Sequence, residues 1–191
     1  MVQPEWYYNL QSGERESPLG YVLQCLLESR MRLGQSSVLP EEEEVNVYLG
    51  HLLLEVMTPA YRELHDRYVA ETPVEVFHKV EHVREPAHKF LVYRANADHR
   101  LLNGSVFHAE LGSVGGDEGS TYYHCAAEYN KQIYRRATPL SGVLDNLADE
   151  YHVYGTILTH MRHAYFHLWR SVSDETLQEW LRSIEPPAPS A

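Results

Sequence analysis

Proline placement constrains this chain more than any other sequence feature. Proline is tolerated in the first turn of a helix, where its missing N–H costs no hydrogen bond and its fixed φ already suits the helix. The prolines that fit this position, some behind a capping hydroxyl, are Ser17–Pro18, Thr72–Pro73, Thr138–Pro139, Pro40 and Pro86. Thr72 is also followed at capping-box spacing by Glu75. The prolines therefore predict a series of separate helices.

Apolar residues recur at helical spacing behind these starts. One stripe runs from Leu19 to Leu33 with Gly34 as its expected C-terminal stop. A second runs from Val45 to Val56 behind the acidic first turn Glu41–Glu44, where carboxylates favour the helix dipole. Pro59 then kinks or restarts this helix. The first third of the chain is thus predicted to be helical throughout.

The rest of the chain extends the pattern. Helices are predicted near residues 98–110, 122–133, 139–170 and 173–181, the one near 139–170 being long. We predict an all-α fold, a single-domain helical bundle of about seven to nine helices over residues 1–185, with a disordered tail at 186–191. Residues 73–95 stay open, because their valines can also alternate as in a strand paired with residues 90–93. The capping box at Thr72 favours a helix.

The charge of the chain restricts its partners. Acidic residues outnumber basic ones by 27 to 16, which gives a net charge of −11. Such a field repels a phosphate backbone or an anionic lipid surface. No apolar stretch approaches the roughly 18 residues needed to cross a bilayer, and residues 1–10 lack the pattern of a signal peptide. We therefore expect a cytoplasmic protein without nucleic acid or membrane partners, with Cys25 and Cys125 as reduced core residues.

Histidines are unusually frequent, with 12 in 191 residues. On the predicted long helix, six polar positions follow one another in steps of three or four residues; we call them the histidine ladder: Asp149, His152, Thr156, His160, His163 and His167. On a straight helix they span about 80° of arc at about 100° per residue. Imidazoles three or four residues apart can share a metal ion. The candidate metal ligands are His160, His163, His167, His152 and Asp149, and the candidate ions are zinc and iron.

The same helix supports a plainer interpretation. Its apolar residues, among them Leu144, Leu158 and Tyr165, lie nearly opposite the ladder. A polar face opposite a core face usually meets solvent. The ladder is thus an exposed face, an interface with pH-sensitive contacts, or a metal or catalytic site.

A second group of histidines and glutamates surrounds residue 80. It contains two Glu-x-x-His pairs, Glu75 with His78 and Glu85 with His88, besides Glu81 and His82. Such pairs bind two metal ions inside some helical bundles. Glu75 is already assigned to the helix cap, however, and Pro86 interrupts any helix through the second pair.

Nine residues in the stretch from residue 98 to about 165 form a pattern: Asp98, Leu101, Leu102, Gly104, Phe107, Tyr122, Tyr123, Ala126 and Tyr129. In these residues the stretch resembles a group of uncharacterised bacterial helical proteins. The resemblance implies a helical fold over this third of the chain and carries no activity with it.

Two functional hypotheses follow. The leading one is a non-enzymatic cytoplasmic protein without a cofactor that acts through contact with another protein or with a second copy of itself, as a homodimer. The alternative is a metal-dependent helical-bundle enzyme that uses the clustered histidines and glutamates.

Overall fold

The structure of the chain, a computed structural model, describes residues 17–34, 40–107 and 118–166. These residues are 86% helical and contain no strand. Their α-helices are α1 (Pro18–Arg32), α2 (Pro40–Glu55), α3 (Pro59–Tyr68), α4 (Pro73–Glu81), α5 (Pro86–Leu102), α6 (Glu118–Tyr134), α7 (Pro139–Asp149) and α8 (Tyr151–Met161). Two π-helical turns extend α5 and α8, over Asn103–Phe107 and Arg162–Phe166. The predicted all-α bundle is confirmed, and these eight α-helices lie within the expected number.

Prolines begin α1, α2, α3, α4, α5 and α7, as expected. Four of these starts are capped by the hydroxyl oxygen of the preceding residue, which accepts a backbone N–H at 3.0–3.3 Å: Ser17, Thr58, Thr72 and Thr138. The capping box is present, since Glu75 Oε2 accepts the backbone N–H of Thr72 at 3.1 Å. Pro59 restarts the chain as a new helix rather than kinking α2. Local chemistry therefore determines most helix starts.

Residues 73–95, left open by the sequence, are helical. They form α4 and the first ten residues of α5, separated by residues 82–85. Val76 and Val80 are buried beneath α4, whereas Val74 points outward, so the valines follow a helical period rather than a strand alternation. The segment proposed as a partner strand, residues 90–93, lies inside α5.

The long helix predicted near 139–170 requires a correction. The chain is helical from Pro139 to the end of the described residues, but Glu150 adopts φ −108° and ψ 27° and divides it into α7 and α8. The two halves have different neighbours: α7 packs against α6 and α2, whereas α8 packs against α1 and the end of α5. The non-helical backbone at Glu150 therefore separates two halves that each pack against their own neighbours.

The helices share one hydrophobic core. The most extensive packing joins α5 to α6 and α6 to α7, and α1 with α2 closes the bundle on the side of α8. Leu158, which we predicted to be buried, is 1% exposed. The peripheral helices α3 and α4 pack mainly against α5. The predicted helix at 173–181 and the predicted tail at 186–191 lie outside the described residues.

Candidate functional site

The histidine ladder is not carried by a single helix. Asp149 ends α7, while the remaining described positions lie on α8 and its π-helical turn. His152 and His163 are exposed and His160 is half-buried, whereas His167 lies outside the described residues. The Nδ1 atom of His160 is buried and has no hydrogen-bond partner within the described part of the chain.

The apolar residues opposite the ladder face the core, as expected. Leu144, Leu147, Tyr151 and Leu158 are each no more than 1% exposed. Tyr165, nearer the end of the described chain, is half-buried, and its hydroxyl group donates a 2.6 Å hydrogen bond to Glu28 Oε2 on α1. This bond is the main cause that lowers the pKa of Glu28 below its usual value. The far side of α8 is thus a structural face.

Asp149 has a partner that the sequence did not suggest. Its Oδ1 atom lies 3.4 Å from Nε2 of His124 on α6, and the other ring nitrogen of His124 lies 3.8 Å from Asp145 Oδ1. Asp145 also pairs with Lys131 at 2.9 Å. The Lys131–Asp145 ion pair and the two His124 contacts join α6 to α7 beside an open groove of about 400 Å³, whose lining includes Glu44 and Glu150. Asp149 therefore belongs to a polar group between these two helices.

Within the described ranges, no three histidine, cysteine, aspartate or glutamate residues are arranged to hold a metal ion. The metal assignment to His160, His163, His167, His152 and Asp149 stays a prediction, because His167 is not among the described residues.

The second histidine group is divided between two helices. His78 and His82 both approach Oε1 of Glu81, at 3.2 Å and 2.8 Å. His88, on the other side of the α4–α5 connection, packs its ring edge-on to Tyr68 with centroids 5.5 Å apart. Glu75 acts as the cap of α4. Glu75, His78 and His88 thus make local contacts.

A buried carboxylate links three helices. Asp98 on α5 is 4% exposed, and its Oδ1 atom accepts hydrogen bonds from the hydroxyl groups of Tyr48 at 2.7 Å and Tyr123 at 2.8 Å. Arg94 Nε lies 3.4 Å from its other oxygen and donates to the Tyr48 hydroxyl group at 3.0 Å. Burial raises the pKa of Asp98, against the opposing effects of Arg94 and the two tyrosines. A cavity of about 20 Å³ adjoins it, room for about one water molecule. The Asp98 group ties α2, α5 and α6 together.

Arg30 forms a second buried polar group. It is 1% exposed, pairs with Glu42, and donates from NH1 to Asn46 Oδ1 at 3.2 Å. Its guanidinium group lies 5.5 Å from the ring centroid of Tyr154 on α8. These contacts hold α1 against α2 and α8, so their role is in the fold.

The outer side of α4 carries two exposed apolar side chains that were not predicted from the sequence. Val74 is 63% exposed and Phe77 57%, although Val76 and Val80 of the same helix are nearly fully buried. Helix spacing puts Val74, Phe77, His78 and Glu81 on one stripe, at i, i+3, i+4 and i+7. The sequence did contain a signal for this surface, since apolar residues of α4 lie on both sides of the helix: Val74 and Phe77 on the outer side, Val76 and Val80 on the core side. We call this stripe the α4 outer face.

The comparisons with known proteins add no family. The chain matches no protein-family model, no curated protein and no solved structure. The resemblance of residues 98–165 to bacterial helical proteins stays a prediction. None of the helices in the described ranges combines the length and apolar character needed to cross a bilayer.

Proposed function

We propose that this protein is non-enzymatic and acts by binding another protein through the α4 outer face. The observation that carries the proposal is the exposure of Val74 and Phe77 on a helix whose opposite side is already buried. A helix packed on one side needs apolar residues on that side alone. Apolar residues one turn apart on the other side are typical of a helix that meets a partner.

Charge indicates the kind of partner. Glu81 lies on the same stripe as the two apolar residues, and the whole chain carries a net charge of −11. A helical segment with apolar residues flanked by lysine or arginine complements this surface and is attracted by the overall field. The competing proposal is the predicted homodimer, in which two copies of the chain would meet through the α4 outer face. Equal negative charge on both copies opposes it at neutral pH.

We also propose that the protein is cytoplasmic. A reducing cytoplasm suits a chain with two cysteines, of which Cys25 is buried and Cys125 is half-buried. The negative charge supports a protein partner over nucleic acid or an anionic membrane surface.

The test uses a defined probe and a matched control. The probe is a synthetic amphipathic helix of leucine and lysine, and the comparison peptide replaces lysine with glutamate. In the variant Val74→Ser/Phe77→Ser both changed side chains are exposed, so folding should be preserved. Tyr134→Ser removes another exposed apolar residue, 59% exposed at the end of α6.

Amide chemical-shift changes distinguish the outcomes. We expect the lysine peptide to change the amide chemical shifts of residues 73–82 in the parent protein and in Tyr134→Ser. In Val74→Ser/Phe77→Ser the affinity for this peptide should fall at least about tenfold, equivalent to about 1.4 kcal/mol. Equal binding by all three proteins would overturn the proposal. Sedimentation that shows a dimer lost only in Val74→Ser/Phe77→Ser would replace it with the homodimer.

A further inference from the structure

Two histidines meet where α3 rests on α5. The rings of His65 and His99 are T-shaped, with centroids 4.8 Å apart. Both side chains are half-buried, so their ring edges are partly removed from water. Protonation of both imidazoles would place two positive charges at this separation.

The charged groups around the pair differ: a carboxylate lies near His65, whereas a guanidinium group follows His99. On α3, Asp66 Oδ1 lies 3.5 Å from Nδ1 of His65. On α5, Arg100 follows His99 and adds positive charge, although its own partner is Glu118 of α6 at 2.9 Å. Burial first, and then His65 and Arg100, lower the pKa of His99 to about 4. The docked state therefore favours the neutral His99 ring.

Polar contacts supplement the apolar packing of α3 and α4 on the core, in which Val76 and Val80 are buried. Asn96 of α5 donates to the carbonyl oxygen of Tyr68 at 3.0 Å and accepts the N–H of Ala70 at 2.9 Å. Arg100 donates to the carbonyl oxygen of Glu71 at 3.3 Å. His88 contributes the ring contact with Tyr68 already described. Three histidines, His65, His88 and His99, therefore take part in the contacts that dock this pair of helices.

We propose that the His65–His99 contact makes the docking of α3 and α4 onto α5 sensitive to pH, so that acidification releases this pair of helices before the rest of the bundle unfolds. When α3 moves away, His99 meets water and takes up a proton that it does not hold in the docked state. The open state therefore binds more protons at mildly acidic pH, and its population rises as pH falls. The inference does not depend on the proposed function, although released helices would carry the α4 outer face with them.

Hydrogen exchange of the full chain tests the proposal. After correction for the intrinsic exchange rate, protection of the amides in residues 59–81 should fall on the order of tenfold between pH 7.5 and 5.0, while α6 keeps its protection. His99→Gln should abolish this pH dependence. His152→Gln, an exposed histidine on α8, should retain it. Equal loss of protection in the parent and in His99→Gln, or loss spread evenly over α3 to α6, would overturn the proposal.

A second variant separates a charge effect from a packing effect. His65→Gln removes the neighbouring charge, so the pKa of His99 measured from its ring protons should rise. If the pKa of His99 does not change in His65→Gln, the two rings are not coupled and the proposal fails. Because this measurement uses His65→Gln, it tests the proposal even if His99→Gln does not fold.

Discussion

Gly119 at the start of α6 lies directly against the ring of Tyr151 at the start of α8. A Cβ atom at position 119 would overlap the tyrosine ring, reaching Cε2 at 2.7 Å and meeting Cζ and the hydroxyl oxygen more closely still. Because Tyr151 is 1% exposed, its ring has little room to move aside. The contact fixes the position of α6 relative to the break at Glu150.

Gly119→Ala should therefore destabilise the protein, by about 1–3 kcal/mol as for overpacked core sites. Gly142→Ala provides the matched control, because a Cβ atom there meets nothing within 4 Å and the site lies within α7. That change should stabilise the protein by about 0.5–1 kcal/mol through helix propensity. Chemical denaturation measures both. Equal effects of the two changes would contradict the close contact.

Leu158 tests the assignment of the core face of α8. It is 1% exposed and packs in the shared core. Leu158→Ala should lower the free energy of unfolding by about 2–5 kcal/mol, because it removes buried methyl groups and leaves a cavity. Thr156→Ala on the exposed side of the same helix is the control and should change the free energy by less than about 0.5 kcal/mol. A small effect at Leu158 would contradict its burial.

The hydrogen bond from Tyr123 to Asp98 should contribute to stability in a pH-dependent way. Tyr123→Phe removes a donor to a buried carboxylate and should cost about 1.5–3 kcal/mol at neutral pH. Because this bond lowers the pKa of Asp98, it stabilises the ionised form more than the protonated form. The difference between parent and variant should therefore shrink as pH falls through the raised pKa of Asp98.

Denaturant titrations at several pH values measure that difference. Tyr134→Phe, at an exposed tyrosine, controls for loss of a hydroxyl group. A difference for Tyr123→Phe that stays constant across the titration of Asp98 would show that the bond does not distinguish its two charge states.

Local chemistry explains what the sequence could predict. A proline that directly follows Thr72 or Thr138 determines where the helix starts to within a few residues. Gly34, with φ 83°, follows the end of α1 as expected. The division at Glu150 depends instead on which helices α7 and α8 pack against, and no residue near 150 signals it. Arg94 lies one helical turn before Asp98, but the tyrosines that donate to Asp98 lie 50 and 25 residues away along the chain. Contacts at these larger separations leave no periodic pattern, so the tyrosine contacts of Asp98 and the His124–Asp149 pair could not be predicted.

The metal hypothesis for the ladder can be tested by chelation. An ion bound only by the folded state raises the melting temperature by mass action, so its removal lowers that temperature. The exposure of His152 and His163 favours a solvated face, and we expect EDTA to leave the melting temperature unchanged. A decrease that added zinc reverses, and that His160→Gln/His163→Gln abolishes, would support the metal-dependent alternative instead.

The ladder should nevertheless influence association as pH falls. Protonation of all 12 histidines changes the net charge from −11 to −11 + 12 = +1, and the unperturbed pKa near 6.5 puts most of this change between about pH 7.5 and 5.5. A net charge near zero promotes association. Light scattering should therefore increase over this range more steeply in the parent than in a variant with His152, His160, His163 and His167 changed to Gln. A variant with four other histidines, His51, His78, His82 and His124, changed to Gln has the same change in net charge. If both variants behave alike, net charge alone controls association; a weaker response only in the ladder variant would assign the contact to that face of α8.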